Sequence, residues 1–496
     1  MAPNPTKELQ LRQPSTAQTP AVPNLPKSDL IEGDLADWIT SMLDGTLAYN
    51  KADGWMRWNG KVWESCQVSE VRRIVLDIFK GMRRVAKAKG WQKPAIDRIR
   101  RLRSNARVKA VTELMQSTCF VSPKFFAEDP NVLNVQNGIV DLKTGELLPH
   151  AKESGCTKIA RVDYLSGATH PDWDAALTAL PKEEANWFQV IMGQASTGHP
   201  PQEDKIFFMQ GPAASNGKST IIIGTTETLG DYVVHASDKA VISNPWNHPT
   251  EKMQFRGARI VFIEELPEGQ KISGKGLKDL TGRKMTARLI AMDNVTWTTT
   301  HTLLITTNHA IFFDSSGHSI ERRIQIIPFE KKYRENPDLE AGELPIDKGL
   351  RSRIEQGETG QHEAVLAWIV EGAKRWYQND KKIPQPPKKI RDDNKTWRAE
   401  RDMVARFFSE CISFDSDSHV TFPDLVASFN EYLKSRGSGV WPEEEFRVAF
   451  EAKPLLLRRR SRVARSRVTA GRSYSPFSIS HSVVAQPLCW FGMKFK

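Results

Sequence analysis

Lys205-Ile-Phe-Phe-Met-Gln-Gly211-Pro-Ala-Ala-Ser215-Asn216-Gly217-Lys218-Ser219-Thr220-Ile-Ile-Ile223 reads as a buried strand, a glycine loop and the first turns of a helix. Such a loop turns backbone N–H groups and a helix N-terminus toward an anion, and so cradles phosphates. In that reading Gly211, Ser215, Asn216, Gly217 and Thr220 line the phosphates. Lys218 reaches the β- and γ-phosphates, and the Ser219 hydroxyl ligates Mg2+. The usual spacing is G-x4-G-K-[ST]. Here five residues stand between Gly211 and Gly217, and Pro212 occupies the nominal first-glycine slot. The expected cofactors are ATP and Mg2+.

Three stretches downstream repeat the strand pattern: Arg259-Ile-Val-Phe-Ile-Glu264-Glu265, His301-Thr-Leu-Leu-Ile-Thr-Thr-Asn308 and Arg323-Ile-Gln-Ile-Ile-Pro-Phe329. Apolar strands alternating with helices predict a mainly parallel sheet, whose ligands bind at the carboxyl ends of the strands. The polar residues collect there. Glu264 is assigned to the magnesium shell and Glu265 to the attacking water; a solvated glutamate pair is the plainer alternative. Asn308 can hydrogen-bond a γ-phosphate or the water, or can simply form a turn. Arg322 and Arg323 precede the last strand. An arginine there can reach a neighbouring subunit's nucleotide and stabilise transition-state charge, or can form a surface ion pair.

Around this α/β core the chain of 496 residues has room for about three domains. Residues 1–33 read as a disordered Pro-rich tail and 34–195 as a helical domain with small β elements. Within it lie a tryptophan-packed hairpin about Asn59-Gly60 and short strands near 131–150. The ATPase core is placed at 196–380, a Pro/Lys linker at 381–396 and a small helical C-terminal domain at 397–496. Hydrophobic residues make up 39% and charged residues 26%, which excludes wholesale disorder. No apolar run is long enough for a spanning helix, and the first 30 residues lack an apolar signal core. Five widely spaced cysteines without a CxxC argue against a disulfide scaffold or a cysteine-rich zinc site, and fit the cytoplasm.

The net charge of +11 is unevenly placed. Residues 72–109 hold 14 Lys/Arg against Asp77 and Asp97, and residues 458–472 hold seven Arg and no acid. Interleaved with apolar residues at helical spacing, the first cluster reads as a phosphate-tracking face or a solvated helix face. The second reads as part of a winged-helix-like DNA-binding domain or as a basic tail.

Taken in order, Gly211–Thr220, Phe262-Ile-Glu-Glu265, Leu277-Lys-Asp-Leu-Thr-Gly282 with Thr286-Ala-Arg288, Thr306-Thr-Asn308 and Glu321-Arg-Arg-Ile-Gln-Ile-Ile-Pro-Phe329 resemble the motifs of superfamily 3 helicases. The closest likeness is to the phage/plasmid primase-helicase family, which includes the poxvirus-type primase-helicases. Trp55, Trp63 and Asn134-Val-Gln-Asn-Gly-Ile-Val-Asp-Leu-Lys-Thr-Gly-Glu146 extend it N-terminally, so that it covers 34–330 well and 360–412 moderately. The resemblance implies an AAA+-like P-loop NTPase core preceded by a helical (α+β) collar and followed by a small winged-helix-like domain. It implies a hexameric ring in which Lys218, Ser219, Glu264, Glu265 and Asn308 act from one subunit and Arg322 or Arg323 from the next. The ring would translocate on single-stranded DNA, unwind forked DNA in phage or plasmid replication, and work in the host cytoplasm. A hairpin at about Arg283–Thr302 would grip DNA, with Lys278, Arg283, Lys284, Arg288 and His301 as candidate contacts.

Besides the longer loop, the chain departs from the family at Arg283-Lys284, where an acid often follows Thr-Gly. It departs again at His301, where a basic residue is usual. No zinc ribbon or clustered-Asp primase motif is evident, so a primase or replication initiator is expected as a separate partner. Two other readings stay open: a nucleotide-switched origin-binding initiator with little unwinding activity, and another ring ATPase such as a packaging motor.

Overall fold

Helix α1 (Glu32–Met42) buries Leu35, Ala36 and Ile39, one face of a 3.6-residue period. The computed structural model describes residues 31–122, 124–127, 129–211, 215–242, 249–266, 268–288, 294–313, 317–436, 439–451, 463–465 and 488–496. They divide into two units, Met1–Asp129 with Pro149–Ile159, and Pro130–Leu148 with Ala160–Lys496. The expected tail thus falls almost wholly outside the described residues, except that α1 already begins at Glu32.

In the first unit, α1 is followed by an antiparallel meander of β1 (Leu47–Asn50), β2 (Gly54–Trp58) and β3 (Trp63–Cys66). The expected turn at Asn59-Gly60 is present. Gly60 has a φ of +101°, and the Asn59 side chain accepts the N–H groups of Lys61 and Val62. Helices α2 (Val68–Ala88), α3 (Lys93–Arg101) and α4 (Asn105–Thr118) complete the unit. A capping box between Gln67 and Glu70 starts α2, and Ser104 caps α4. Val71, Val75, Ile78, Phe79 and Met82 of α2 pack with Leu35, Ile39, Val111 and Met115. The basic residues of 72–109 occupy the remaining surface of these helices.

The second unit opens with a small meander of β4 (Val132–Val135), β5 (Gly138–Asp141) and β6 (Glu146–Leu148). Helices α5 (Pro171–Leu177) and α6 (Lys182–Ser196) follow. The next elements are β7 (Ile206–Gln210), α7 (Lys218–Leu229), β8 (Val233–Ala236), β9 (Ile260–Ile263), β10 (Lys271–Ile272) and α8 (Gly274–Thr281). The antiparallel pair β11 (Lys284–Ala287) and β12 (Val295–Thr298) lies in the stretch expected to form a hairpin. After it come β13 (Thr302–Thr307), β14 (Phe312–Phe313), β15 (Ile324–Pro328), β16 (Tyr333–Arg334) and β17 (Leu344–Pro345). Helices α9 (Leu350–Gln356), α10 (Gln361–Gln378) and α11 (Lys388–Arg401) lead to the C-terminal part.

The central sheet has five parallel strands in the order β15-β7-β13-β9-β8. The inner strands β7, β13 and β9 are buried along nearly their whole length because both faces are covered. Alternation sorts the side chains. Phe207, Met209, Phe262, Leu304 and Ile327 join one core with α6, α7 and α10. Ile206, Phe208, Val261, Ile263, Leu303 and Ile305 join the other with Leu277, Leu280 and Met285.

Two expected boundaries are corrected. Residues 130–148 and 160–195 belong to the unit with the sheet rather than to a helical collar ending at 195. The reason is that α6 is buried on nearly all sides and meets α10 backbone to backbone: a Cβ on Gly372 would lie 2.1 Å from the Gln189 carbonyl oxygen. The linker at 381–396 is likewise shortened. From Lys388 the chain is helical, Ile390 is buried, and the Asn394 amide pairs with the edge strand β15, accepting the Ile326 N–H at 2.8 Å and donating to its carbonyl at 2.9 Å. Arg398 donates to the Ile324 carbonyl. A helix with polar side chains thereby covers a sheet edge that would otherwise lie open.

The C-terminal part runs α12 (Met403–Cys411), β18 (Ile412–Thr421), α13 (Phe422–Ser435), α14 (Glu443–Glu451), β19 (Val463–Arg465) and β20 (Leu488–Phe495). The three strands are antiparallel in the order β18-β20-β19, over a core that includes Phe407, Phe429, Phe446 and Phe450. Most of the Arg-rich segment 458–472 lies outside the described residues.

Candidate functional site

The carboxyl ends of β7, β9 and β13 converge, as expected for a parallel sheet. Gly211 follows β7, and its N–H donates to the Thr307 carbonyl at 3.1 Å. A Cβ at Gly211 would lie 2.0 Å from Asn216 Nδ2, 2.8 Å from Lys218 Nζ and 2.8 Å from the Phe329 carbonyl oxygen. The position therefore favours glycine, since the Phe329 backbone and the Asn216 and Lys218 side chains crowd it. Pro212, Ala213 and Ala214 lie outside the described residues. Ser215 has a φ of +61°, and its carbonyl accepts the Tyr333 N–H. Gly217, with a φ of +85°, starts α7 against Ala179, whose Cβ leaves no space for a side chain there. Asn216 and Lys218 are buried, Thr220 is half-buried and Ser219 is exposed.

Lys218 Nζ donates to Asn308 Oδ1 at 2.8 Å. Burial pushes the ammonium down to about 8, opposed by the negative charge of Glu265. A buried cation beside a glycine loop has an electrostatic need for an anion. The two glutamates differ in their partners. Glu265, at a φ of +53°, donates its N–H to Thr306 Oγ1 and is the acid whose charge acts on Lys218. Glu264 Oε1 instead lies 2.9 Å from His235 Nδ1, while His235 Nε2 lies 2.9 Å from Thr226 Oγ1 on α7. The hydrogen bond from His235 holds the Glu264 carboxyl below the usual range. His235 is missed in the sequence because β8 is a four-residue edge strand with little pattern of its own.

The arginine pair stands at the opposite end of the sheet. Ile324 pairs with Ile206 at the start of β7, a strand length away from the glycine loop, so neither arginine shares a strand end with its own Lys218. Arg322 is exposed, and Arg323 is mostly buried.

Of the candidate DNA contacts, Lys278 and Lys284 line an open cavity of about 250 Å³ together with Lys252, Asp279 and Thr286. Arg283 and Arg288 are exposed at either end of β11. The expectation for His301 is corrected: only 3% of it is exposed, its Nε2 meets the Leu280 carbonyl at 3.0 Å, and burial pushes the imidazole down to about 4. Leading into a strand buried on both faces, it is a core residue. Among the described residues no three His, Cys, Asp or Glu side chains cluster as a preformed metal site, and no helix is long and apolar enough to cross a membrane.

Residues 36–180 match the profile of the family described as "D5 N terminal like". The curated relatives include "Putative primase C962R" of African swine fever virus, 20% identical over 327 residues in a Warthog isolate and 19% identical over 327 residues in a Pig isolate from Kenya. Each alignment covers 62% of this chain and 34% of the viral protein, so the chain spans about a third of the length of these relatives. Among solved structures, two apo forms of the NrS-1 C-terminal region align with TM-scores of 0.42. One, at 10% identity, covers 84% of this chain and 87% of that one; the other, at 8%, covers 94% and 100%. The matched segment and the viral relatives support the primase-helicase family.

Proposed function

We propose that this chain is an ATP-driven DNA-replication motor of the primase-helicase type, with an AAA+-like superfamily 3 core that assembles as a hexameric ring on single-stranded and forked DNA. The observation that carries this reading is the buried Lys218, drawn onto Asn308 beside Glu265 and a glycine loop at one strand end. The residues present fit a magnesium nucleotide. Glycines at 211 and 217 let the loop close on Asn216, Lys218 and Ala179, and the loop leads straight into the N-terminus of α7. Ser219 with Glu264 would hold Mg2+, which is usually bound by few protein ligands plus phosphate oxygens. When bound, the ion would neutralise charge on the phosphates.

The chain's own groups then have distinct tasks. Lys218 offers a positive charge that an anion would restore to its full ordinary basicity. Asn308 orients that charge through its amide oxygen. Glu265, whose charge acts on Lys218, would accept a proton from the attacking water, and His235 holds Glu264 between β8 and α7. The viral relatives named as primases support a role in DNA replication.

A second reading, an origin-binding initiator, draws on the C-terminal order of helix, strand, two helices and two strands, which is that of a winged helix. The two readings separate in one experiment. Purified protein with MgATP and a forked duplex should hydrolyse ATP faster with single-stranded DNA and displace a strand. Lys218→Ala should lose both activities. Hydrolysis without displacement, joined to site-specific duplex binding, would favour the initiator. A wild-type protein that binds no MgATP would overturn both.

A further inference from the structure

We infer that the corner between α2 and α3 is a stacking site for single-stranded DNA, with Trp91 as the ring and Lys87, Lys89 and Lys93 as the phosphate contacts. DNA as the occupant rests on the replication reading above. The site itself lies in the first unit and uses no residue of the nucleotide site.

The chain leaves α2 through Lys89 and Gly90. Gly90 has a φ of +70°, its N–H donates to the Lys87 carbonyl at 3.0 Å, and the Trp91 N–H reaches back to the Ala86 carbonyl at 3.0 Å. This pair of bonds is a Schellman stop. It fixes the backbone of Trp91 and leaves the side chain at the surface, 38% exposed. Among the described residues the indole stacks on no other ring, and its N–H donates to no acceptor. A helix stop needs only an apolar side chain after the glycine. An aromatic ring with a hydrogen-bond donor exceeds that need.

The surroundings are cationic. From Lys80 to Arg103 the sequence holds ten Lys/Arg against one acid, Asp97. Lys87, Lys89 and Lys93 are exposed and pair with no acid among the described residues. Lysines attract a phosphate backbone, and an exposed ring accepts the face of a base. In a duplex those faces are already stacked on one another, so a ring outside it is covered by a base only from a single strand. A lipid surface is a poorer fit. Between Val68 and Leu114, Trp91 is the one large apolar side chain exposed among the described residues, so the corner has no apolar face to bury.

The full-length chain without nucleotide tests this, by fluorescence anisotropy with labelled oligo(dT) of about 20 nucleotides, a duplex of equal length and an abasic strand. Trp91→Leu keeps an apolar side chain after the glycine. It should melt as wild type, bind oligo(dT) about tenfold more weakly and keep the same salt slope, because no charge is lost. Its affinity for the abasic strand and the duplex should be unchanged. Trp91→Phe should hold most of the oligo(dT) affinity. Replacing Lys87, Lys89 and Lys93 together by Gln should instead lower the salt slope by about 2.

Trp91→Leu that binds oligo(dT) as wild type does would overturn the site and leave the ring as a helix stop only. Trp91→Phe as weak as Trp91→Leu, or equal weakening on the abasic strand, would overturn stacking. Binding of phosphatidylserine vesicles, or of oligo(rU) in preference to oligo(dT), that is lost in Trp91→Leu would overturn single-stranded DNA as the occupant. A wild type that hydrolyses no ATP yet shows these DNA effects would sink the motor reading and leave this site standing.

Discussion

Neutral and enclosed, His301 couples the stability of the core to acid. Its imidazole titrates near 4 in the folded chain and near 6.5 when unfolded. Between those values the unfolded chain binds more protons, so stability rises with pH across the window and is lost as pH falls through it. The loss should approach about 3 kcal/mol. His301→Gln, followed by denaturant midpoints from pH 7 to pH 4, should flatten that limb; a curve parallel to wild type would mean that His301 is not the group responsible. His301 became a candidate contact only because the resemblance puts a hairpin's basic residue there, while its burial is decided by packing against Leu280 and Phe255. The strand-end positions of Lys218 and Asn308 were legible, the first from its glycine loop and the second from the apolar run it closes, although by itself that asparagine reads as well as a turn. His235 was not, because it acts through a partner distant in sequence.

For whole elements, apolar runs located four of the five sheet strands within a residue or so, and the carboxyl-end rule brought together the polar residues that follow β7, β9 and β13. Helix α11 was hidden by the prolines before it and by its charged surface, for its helical character rests on a few buried positions such as Ile390 and Asn394. The crossing of α6 and α10 was also unreadable, since two glycines at matched heights become informative only once the helices meet. Gly372→Ala would drive a methyl group into the Gln189 carbonyl and should cost about 1–3 kcal/mol, as overpacked cores do. Thermal melting would register this, and an unchanged midpoint would show that the two helices can separate at no cost.

Across the molecule, charge collects on named surfaces. On α2, Arg73, Lys80, Arg84 and Lys87 recur at helical spacing on the exposed side, answered within 4 Å by Asp77 alone among the described residues. Replacing these four by Gln should reduce the slope of log affinity against log salt for single-stranded DNA by about 3. Fluorescence anisotropy at several salt concentrations would measure it, and an unaltered slope would return the stripe to a solvated face.

The pairing of Asn394 with Ile326 has a mechanical consequence. Strand β15 begins at the arginine pair, and α11 is bonded to it through both backbone groups of one residue. Helix α11 ends at Asp402, which also caps α12 by accepting the Ala405 N–H, so one residue separates the two helices. A shift of β15 would be carried through these bonds into α11 and, across Asp402, into α12.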